Sequence, residues 1–303
     1  MRLLLVDGHY YLYRSFFAIR GLTNSKGEPT NAIYGFLKAV RKMLADVRPD
    51  RAAVIWDAGL PERRTLLQPD YKKNRPSMPD DLRSQETWLQ KNIPLLGVAS
   101  LSCANTEADD LIASYALQAA AAGAEAVIAT NDKDILQIVR PGISIYSTSK
   151  NDLDIGSFAL LGPVEVEKKW GVPAHRISDV LALTGDSSDN IPGVPGVGAK
   201  TAVQIVLSAT SLREVLDHPA QLESAKFREK IETHRETILA NLEMVRLDED
   251  LTCPVPWIDL TIEPRREELL AALRDCEFHS LVREIEAGLP AETAVQTDLF
   301  ATG

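Results

Sequence analysis

The sequence is short of cysteine, histidine, positive charge and long apolar runs. Among its 303 residues the only cysteines are Cys103, Cys253 and Cys276, spaced too widely for a disulfide framework or a cysteine zinc site. Of the five histidines, His9 follows Asp7-Gly8, while His175, His218, His234 and His279 read as surface or core residues; no Ser/His/Asp arrangement is suggested. The apolar start Leu3-Leu4-Leu5-Val6 is cut off by Asp7, too early for a signal-peptide core. The alanine-rich stretch 116–126 is interrupted by Gln118 and Glu125, so nothing approaches the length of a membrane span. A cytoplasmic protein with no membrane contact is the expectation. Lysine and arginine total 33 against 43 acids, a net charge of −10, which superficially opposes a nucleic-acid partner. That objection fails if carboxylates converge on metal ions that cancel them. The places where the acids fall therefore matter.

What is present is an alternation of short apolar runs and amphipathic stretches. Leu3–Val6, Ala52–Trp56, Ala126–Ala129 and Ile143–Tyr146 read as strands, with another near Val98–Leu101. Helical patterns cover about 10–18, 31–47, 80–96 and 106–122, while 62–80 reads as charged and irregular. Beyond Pro163 the pattern is helical almost throughout: 164–170, 175–183, 199–208, a long helix over 225–247, then 266–275 and 279–286, with a strand-like 257–260 between. Alternating strands and helices predict a parallel α/β sheet, whose ligands bind at the carboxyl edge of the strands. Three strands end in acids, which would bring Asp7, Asp57 and the Asp132/Asp134 pair to one edge. Glu107, Asp109 and Asp110 open a helix; Thr106-x-x-Asp109 could be a capping box, which leaves Glu107 and Asp110 unexplained.

The run from Leu183 to Thr201 organises the remainder. Asp186 and Asp189 are followed by Gly193-Val194-Pro195-Gly196-Val197-Gly198-Ala199-Lys200. Asp189 could simply cap a turn, and the glycines could form an ordinary loop. A P-loop is excluded because Ala199 intervenes before Lys200 and no strand precedes; the glycine spacing also fails the dinucleotide fingerprint. What remains resembles a helix-hairpin-helix turn, whose backbone N–H groups grip phosphates. Carboxylates about 4 Å apart repel by roughly 4 kcal/mol at an effective dielectric of 20, so many converging acids require cations. Oxygen-only ligands select hard ions, Mg²⁺ or Mn²⁺, and two such ions suit in-line phosphoryl displacement.

Leu5-Val6-Asp7-Gly8, Trp56-Asp57-Ala58, Glu107-Ala108-Asp109-Asp110, Asn131-Asp132-Lys133-Asp134 and Thr184-Gly185-Asp186-Ser187-Ser188-Asp189-Asn190 occur in the order found in bacterial 5′ nucleases. Over residues 1–287 the chain resembles the 5′–3′ exonuclease/flap endonuclease family, including the N-terminal domain of bacterial DNA polymerase I. The resemblance implies a Rossmann-like, PIN-like α/β domain over 1–165, with helices on both faces and a helical arch around 59–96. It implies a helical DNA-binding subdomain of the helix-three-turn-helix kind over 166–287, with its hairpin at 190–201, and a flexible tail over 288–303. It also implies that Asp7, Asp57, Glu107, Asp109, Asp110, Asp132, Asp134, Asp186 and Asp189 hold two Mg²⁺ or Mn²⁺ ions, with Asp7, Asp109 and Lys72 catalytic. Lys72 would lie beside the scissile phosphate and Tyr71 would stack on a base. Arg14, Arg64 and Arg75 would contact phosphates. Gly193, Gly196, Gly198, Lys200 and Thr201 would hold the duplex, with a monovalent cation, K⁺, at 193–198.

Gly59 and Pro61 depart from the lysines common at those positions, and Arg63 replaces an aromatic, so the grip on single strands is expected to differ. In the tail, Gln296-Thr297-Asp298-Leu299-Phe300 resembles a sliding-clamp-binding peptide through Gln296, Leu299 and Phe300. The expected partner is DNA with 5′ ends, nicks or flaps, cut by a monomeric, stand-alone enzyme. A non-catalytic DNA-end binding module and an RNA-cutting nuclease on a similar fold stay as alternatives.

Overall fold

The computed structural model describes residues 1–153 and 156–288. Along β1 (Arg2–Asp7) every residue from Leu3 to Val6 is fully buried, because helices cover both sides of the sheet. Successive strand side chains point to opposite faces, and β1 divides accordingly. Leu3 and Leu5 join a core with α5 (Ala108–Ala121), whereas Leu4 and Val6 join one with α1 (Gly8–Ala18), α2 (Asn31–Val47) and α4 (Asp80–Asn92). A strand buried on both faces reads as continuous apolar sequence rather than as alternation. That is why its four-residue run was legible.

The strand order is β3-β2-β1-β4-β5-β6, with β2 (Arg51–Trp56), β3 (Ala99–Ser102), β4 (Glu125–Ala129), β5 (Ile143–Ser147) and β6 (Ala159–Leu161). All neighbours pair in parallel except β5 and β6. The chain builds outward from β1 to β2 and β3, then crosses to β4 on the other side. This reversal puts a crevice at the carboxyl ends of β1 and β4, where open α/β sheets bind ligands.

The helical half comprises α6 (Pro163–Trp170), α7 (Ile177–Thr184), α8 (Ala199–Leu207), α9 (Leu212–Asp217), α10 (Ala225–Thr233) and α11 (Arg235–Val245). It shares one continuous core with the α5 side of the sheet. Three expectations need correction. The long helix over 225–247 is two helices: His234 leaves helical geometry at φ −108°, ψ 18°, while Arg235 ties to Asp217 at 2.8 Å. The break lets Asn241 donate to the carbonyls of Ala182 and Pro192 at 2.9 and 2.7 Å, fastening α11 to α7 and to the entry of the hairpin. The stretch 62–80 is not irregular throughout, because Glu62–Leu67 forms α3. The segment 257–260 contains a 3₁₀ turn, Trp257–Asp259, rather than a strand.

The boundary at 287 also needs correction. α12 (Arg266–Asp275) and α13 (His279–Glu286) do not belong with the helical half; they pack on the α2 side of the sheet. Glu284 there receives Lys38 at 3.2 Å and Arg41 at 2.7 Å. Among the described residues no helix is long and apolar enough to cross a membrane.

Candidate metal centre

β1 and β2 each hand an acid to the carboxyl edge. Asp7 ends β1 and caps α1, accepting from the Tyr10 N–H at 2.9 Å and from the Thr130 hydroxyl at 2.8 Å. Burial, with Asp57 and Asp132 nearby, raises its pKa from an ordinary 3.8 to about 6. Asp57 follows β2 and accepts from the Ala108 N–H at 2.7 Å, at the first residue of α5. Burial would raise its carboxyl too, but the hydrogen bond and charge of His9 outweigh that and hold it at about 2. His9 bridges Asp57 at 3.1 Å and Glu86 at 3.0 Å. Burial disfavours its charge, yet the two carboxylates lift its pKa to about 10. In the sequence His9 stands out only as a neighbour of Asp7; its partner Glu86 lies on α4 and gives no local signal.

Asp109 stands in the first turn of α5. Burial first, then the carboxylates of Asp132, Asp7 and Asp57, push its pKa well above the ordinary range. These four acids therefore form one mutually repelling group. A second group is tighter: ligand oxygens of Asp134, Asp186 and Asp189 all lie within 4.8 Å of one another. Burial and the neighbouring Asp132, Asp189 and Asp186 push Asp134 far up. Its Oδ1 is buried with no hydrogen-bond partner. A buried orphan oxygen costs free energy unless something meets it. Three converging carboxylates with such an oxygen fit a hard cation.

Lys72 sits between the two groups. Its ammonium contacts Glu107 and lies 3.6 Å from Asp189, and its charge is felt at Asp57, Asp109 and Asp132. Burial opposes the charge, but Glu107 and Asp189 raise its pKa. The backbone here is held in the left-handed region, with φ 57° at Lys72 and 61° at Asn190, a cost that surrounding contacts must offset. Those contacts dock 68–75 onto the loop 186–190. The Lys72 N–H donates to Asp189 O at 3.1 Å, Asn74 to Ser187 O at 2.8 Å and Asn190 to Asp70 O at 2.9 Å. Gln68 reaches Asn190 O and Arg75 reaches the Asp189 carboxylate.

Three expected site residues are placed differently. Arg64, expected at a phosphate, is 3% exposed. It forks onto both oxygens of Asp110 at 2.7 and 2.8 Å, reaches Glu107, and donates to the carbonyls of Met244 and Arg246. Asp110, expected at a metal, is fully buried and spends its oxygens on Arg64 and the Asp248 N–H. Tyr71, expected to stack on a base, is 5% exposed, its hydroxyl 3.1 Å from Glu107 and 3.2 Å from Asp189. These residues join α3, α5 and the segment after α11 beneath the acids. Arg14 lies on α1, its guanidinium 5.7 Å from the Tyr10 ring centre.

The hairpin follows the second acid group without a break. Asp186 and Ile191 pair as an antiparallel bridge, and Val194 and Val197 are buried anchors. Gly196, Gly198 and Lys200 are exposed at its tip, with Thr201 half-buried behind. Gly193 serves the fold more than the surface: a Cβ there would meet Thr184 O at 2.1 Å, whereas one at Gly198 would meet nothing within 4 Å. Gly193→Ala is therefore expected to cost about 1–3 kcal/mol, as overpacking does, and to weaken duplex binding. Gly198→Ala should stay within about 0.5 kcal/mol of wild type; thermal melts and DNA titrations check both. Gln296, Leu299 and Phe300 lie outside the described residues.

Comparison with known proteins accounts for this arrangement. Residues 2–171 match the family model for the 5′-3′ exonuclease N-terminal resolvase-like domain, and residues 172–268 match that for the 5′-3′ exonuclease C-terminal SAM fold. The thermostable DNA polymerase I of Thermus thermophilus is 37% identical over 296 residues, covering 97% of this chain but 34% of the polymerase; the chain thus spans about a third of that relative's length. A 5′-3′ exonuclease of Aquifex aeolicus is 34% identical over 285 residues, 94% of this chain and 95% of its own. A crystal structure of the bacteriophage T5 flap endonuclease with DNA and metal ions shares the fold at a TM-score of 0.65 and 20% identity, over 95% of this chain and 100% of that one. With both family models spanning the sheet, the hairpin and every candidate acid, the chain belongs to the 5′–3′ exonuclease family.

Proposed function

We propose that this chain is a divalent-metal-dependent 5′ nuclease that hydrolyses DNA phosphodiesters at 5′ ends, nicks and flaps, acting as a cytoplasmic monomer in replication and repair. The observation that carries the reading is the meeting of Asp7, Asp57, Asp109 and Asp132 with Asp134, Asp186 and Asp189 at the crevice of the sheet, directly joined to a glycine hairpin. These acids would hold two Mg²⁺ or Mn²⁺ ions, with Glu107 behind them through Lys72. When bound, such ions supply Lewis acidity and a nucleophile at neutral pH. The chain's own part is to place the phosphate. Lys72 offsets charge developing there, Arg75 and Arg14 steady the neighbouring phosphates, and the hairpin with Lys200 and Thr201 holds the duplex by its backbone. Such a grip gives low sequence specificity and strong salt dependence. K⁺ at 193–198 would support the hairpin. The products are a 5′-phosphate and a 3′-hydroxyl.

The test uses a 5′-labelled flap, a nicked duplex and single-stranded RNA, each with Mg²⁺ and with chelator. Mg²⁺-dependent cutting of the two DNA substrates is expected. DNA binding without cutting would favour an end-binding module, cutting of RNA alone an RNA nuclease, and cutting that survives chelation would end the metal reading.

We also propose that Gln296, Leu299 and Phe300 bind a sliding clamp, the apolar pair being buried in the partner's pocket. Deleting 295–303 should abolish clamp binding in a pull-down and leave flap cleavage intact; undiminished binding refutes it.

A further inference from the structure

Besides His9 on Asp57, a second cation comes from the acid-bearing loops themselves and meets the tighter group. Asp186 accepts from the Ser188 N–H at 2.9 Å and hydroxyl at 2.6 Å on Oδ1, and from the Lys133 ammonium at 3.1 Å on Oδ2. Asp189 is met by Arg75 and Lys72, both carried by the segment 68–75 docked across the site. Lys133 comes instead from the sheet's own loop, between Asp132 and Asp134. Its backbone is fixed by the Asp134 N–H on the Asp132 carboxylate at 2.8 Å and by the Leu136 N–H on the Lys133 carbonyl at 3.2 Å. Its side chain is about a third exposed, at 35%, so the ammonium can exchange Asp186 for solvent without moving the loop.

We propose that Lys133 is a positioning residue for the second ion: its ammonium stands beside Asp186 as a resident counter-charge, and a divalent cation entering the Asp134, Asp186 and Asp189 group must compete with it. Two cations cannot share one carboxylate at contact distance without repulsion. Lys133 on Asp186 and Arg75 and Lys72 on Asp189 put three cations at this group, against His9 on Asp57 at the other, so the ion here is the weaker of the two. Its arrival frees the ammonium at the mouth of the site, where a substrate phosphate can take it up. Metal and DNA thereby favour one another's binding. This inference rests on the two-ion reading given above.

Mn²⁺ titration of the full chain, followed by the electron paramagnetic resonance of free Mn²⁺, tests it without any cleavage. Wild type should show two classes of site. Lys133→Gln and Lys133→Met should each tighten the weaker class about tenfold and leave the stronger one unchanged, which also reports that the fold is kept. Lys133→Arg, which retains the charge, should behave as wild type. A residue that merely held the loop would, on removal, loosen the site instead. An unchanged or weakened second class in both neutral variants overturns the role of Lys133 and leaves the nuclease reading standing; failure of wild type to bind Mn²⁺ overturns both.

Discussion

Asp109→Asn is expected to lower flap cleavage by more than about a hundredfold, since even outer partners of metal ligands cost 10–100-fold when lost, while DNA affinity stays near wild type. The second half of the expectation separates this variant from a misfolded one. Asp109 is half-buried beside Asp132, Asp7 and Asp57, so removing its charge relieves repulsion in the metal-free protein. A carboxyl whose folded pKa lies above its unfolded value stabilises the fold at low pH, and that contribution fades as pH rises. For Asp7 the window runs from 3.8 to about 6. Metal-free wild type should therefore lose melting temperature across that interval and recover it with Mg²⁺. Asp109→Asn should show a shallower loss and little recovery. Melting curves at a series of pH values, with and without Mg²⁺, supply the readout.

Arg64→Ala is expected to destabilise the fold by about 3–5 kcal/mol, the usual result of breaking a buried ion pair from one side. It leaves Asp110 fully buried without its fork, and it removes one cation from Glu107. A phosphate-binding arginine would show the reverse pattern, weaker DNA binding at unchanged melting temperature. Denaturant titration beside DNA binding distinguishes the two. Exchanging Arg64 and Asp110 together for apolar residues of similar volume should recover part of the loss, because the pair's desolvation cost goes with it.

The difference between these two residues marks what sequence alone could reach. A parallel sheet brings its strand ends together whatever lies between them, so Asp7, Asp57 and Asp132 could be placed at one edge from the acids that close β1 and β2 and follow β4. Arg64 meets partners 43 and 46 residues away through the packing of α3 on α11, and no local pattern encodes that. α3 itself was hidden for the same reason: Glu62-Arg63-Arg64-Thr65-Leu66-Leu67 shows no apolar face, and Leu66 stays 74% exposed. It is held by the Arg64 network rather than by burial of leucine. Strongly amphipathic or apolar stretches such as α2, α12 and α13 needed no such help, and their limits agree with the sequence reading. Their partners did not follow, because amphipathicity shows that a face is covered and not by what. Hence α12 and α13 were placed with the helical half although Leu270, Leu273 and Leu281 complete the core that contains Leu4 and Val6. β6, three residues at an antiparallel edge, is too short to carry a period.

The run from Asp186 to Lys200 is the part of the site where sequence and structure agree best. The Asp186–Ile191 bridge closes the loop that carries two acids of the tighter group, and the hairpin follows at once, anchored by buried Val194 and Val197. On the function proposed above, the distance from duplex grip to metal is therefore built into the chain. Soaking crystals with Mn²⁺ and collecting at the manganese edge tests this account most directly. Two anomalous peaks are predicted, one touched by Asp7, Asp57, Asp109 or Asp132 and the other by Asp134, Asp186 or Asp189, with Asp110 still on Arg64. No peak at the sheet's carboxyl edge, or a peak held by Asp110, would contradict it.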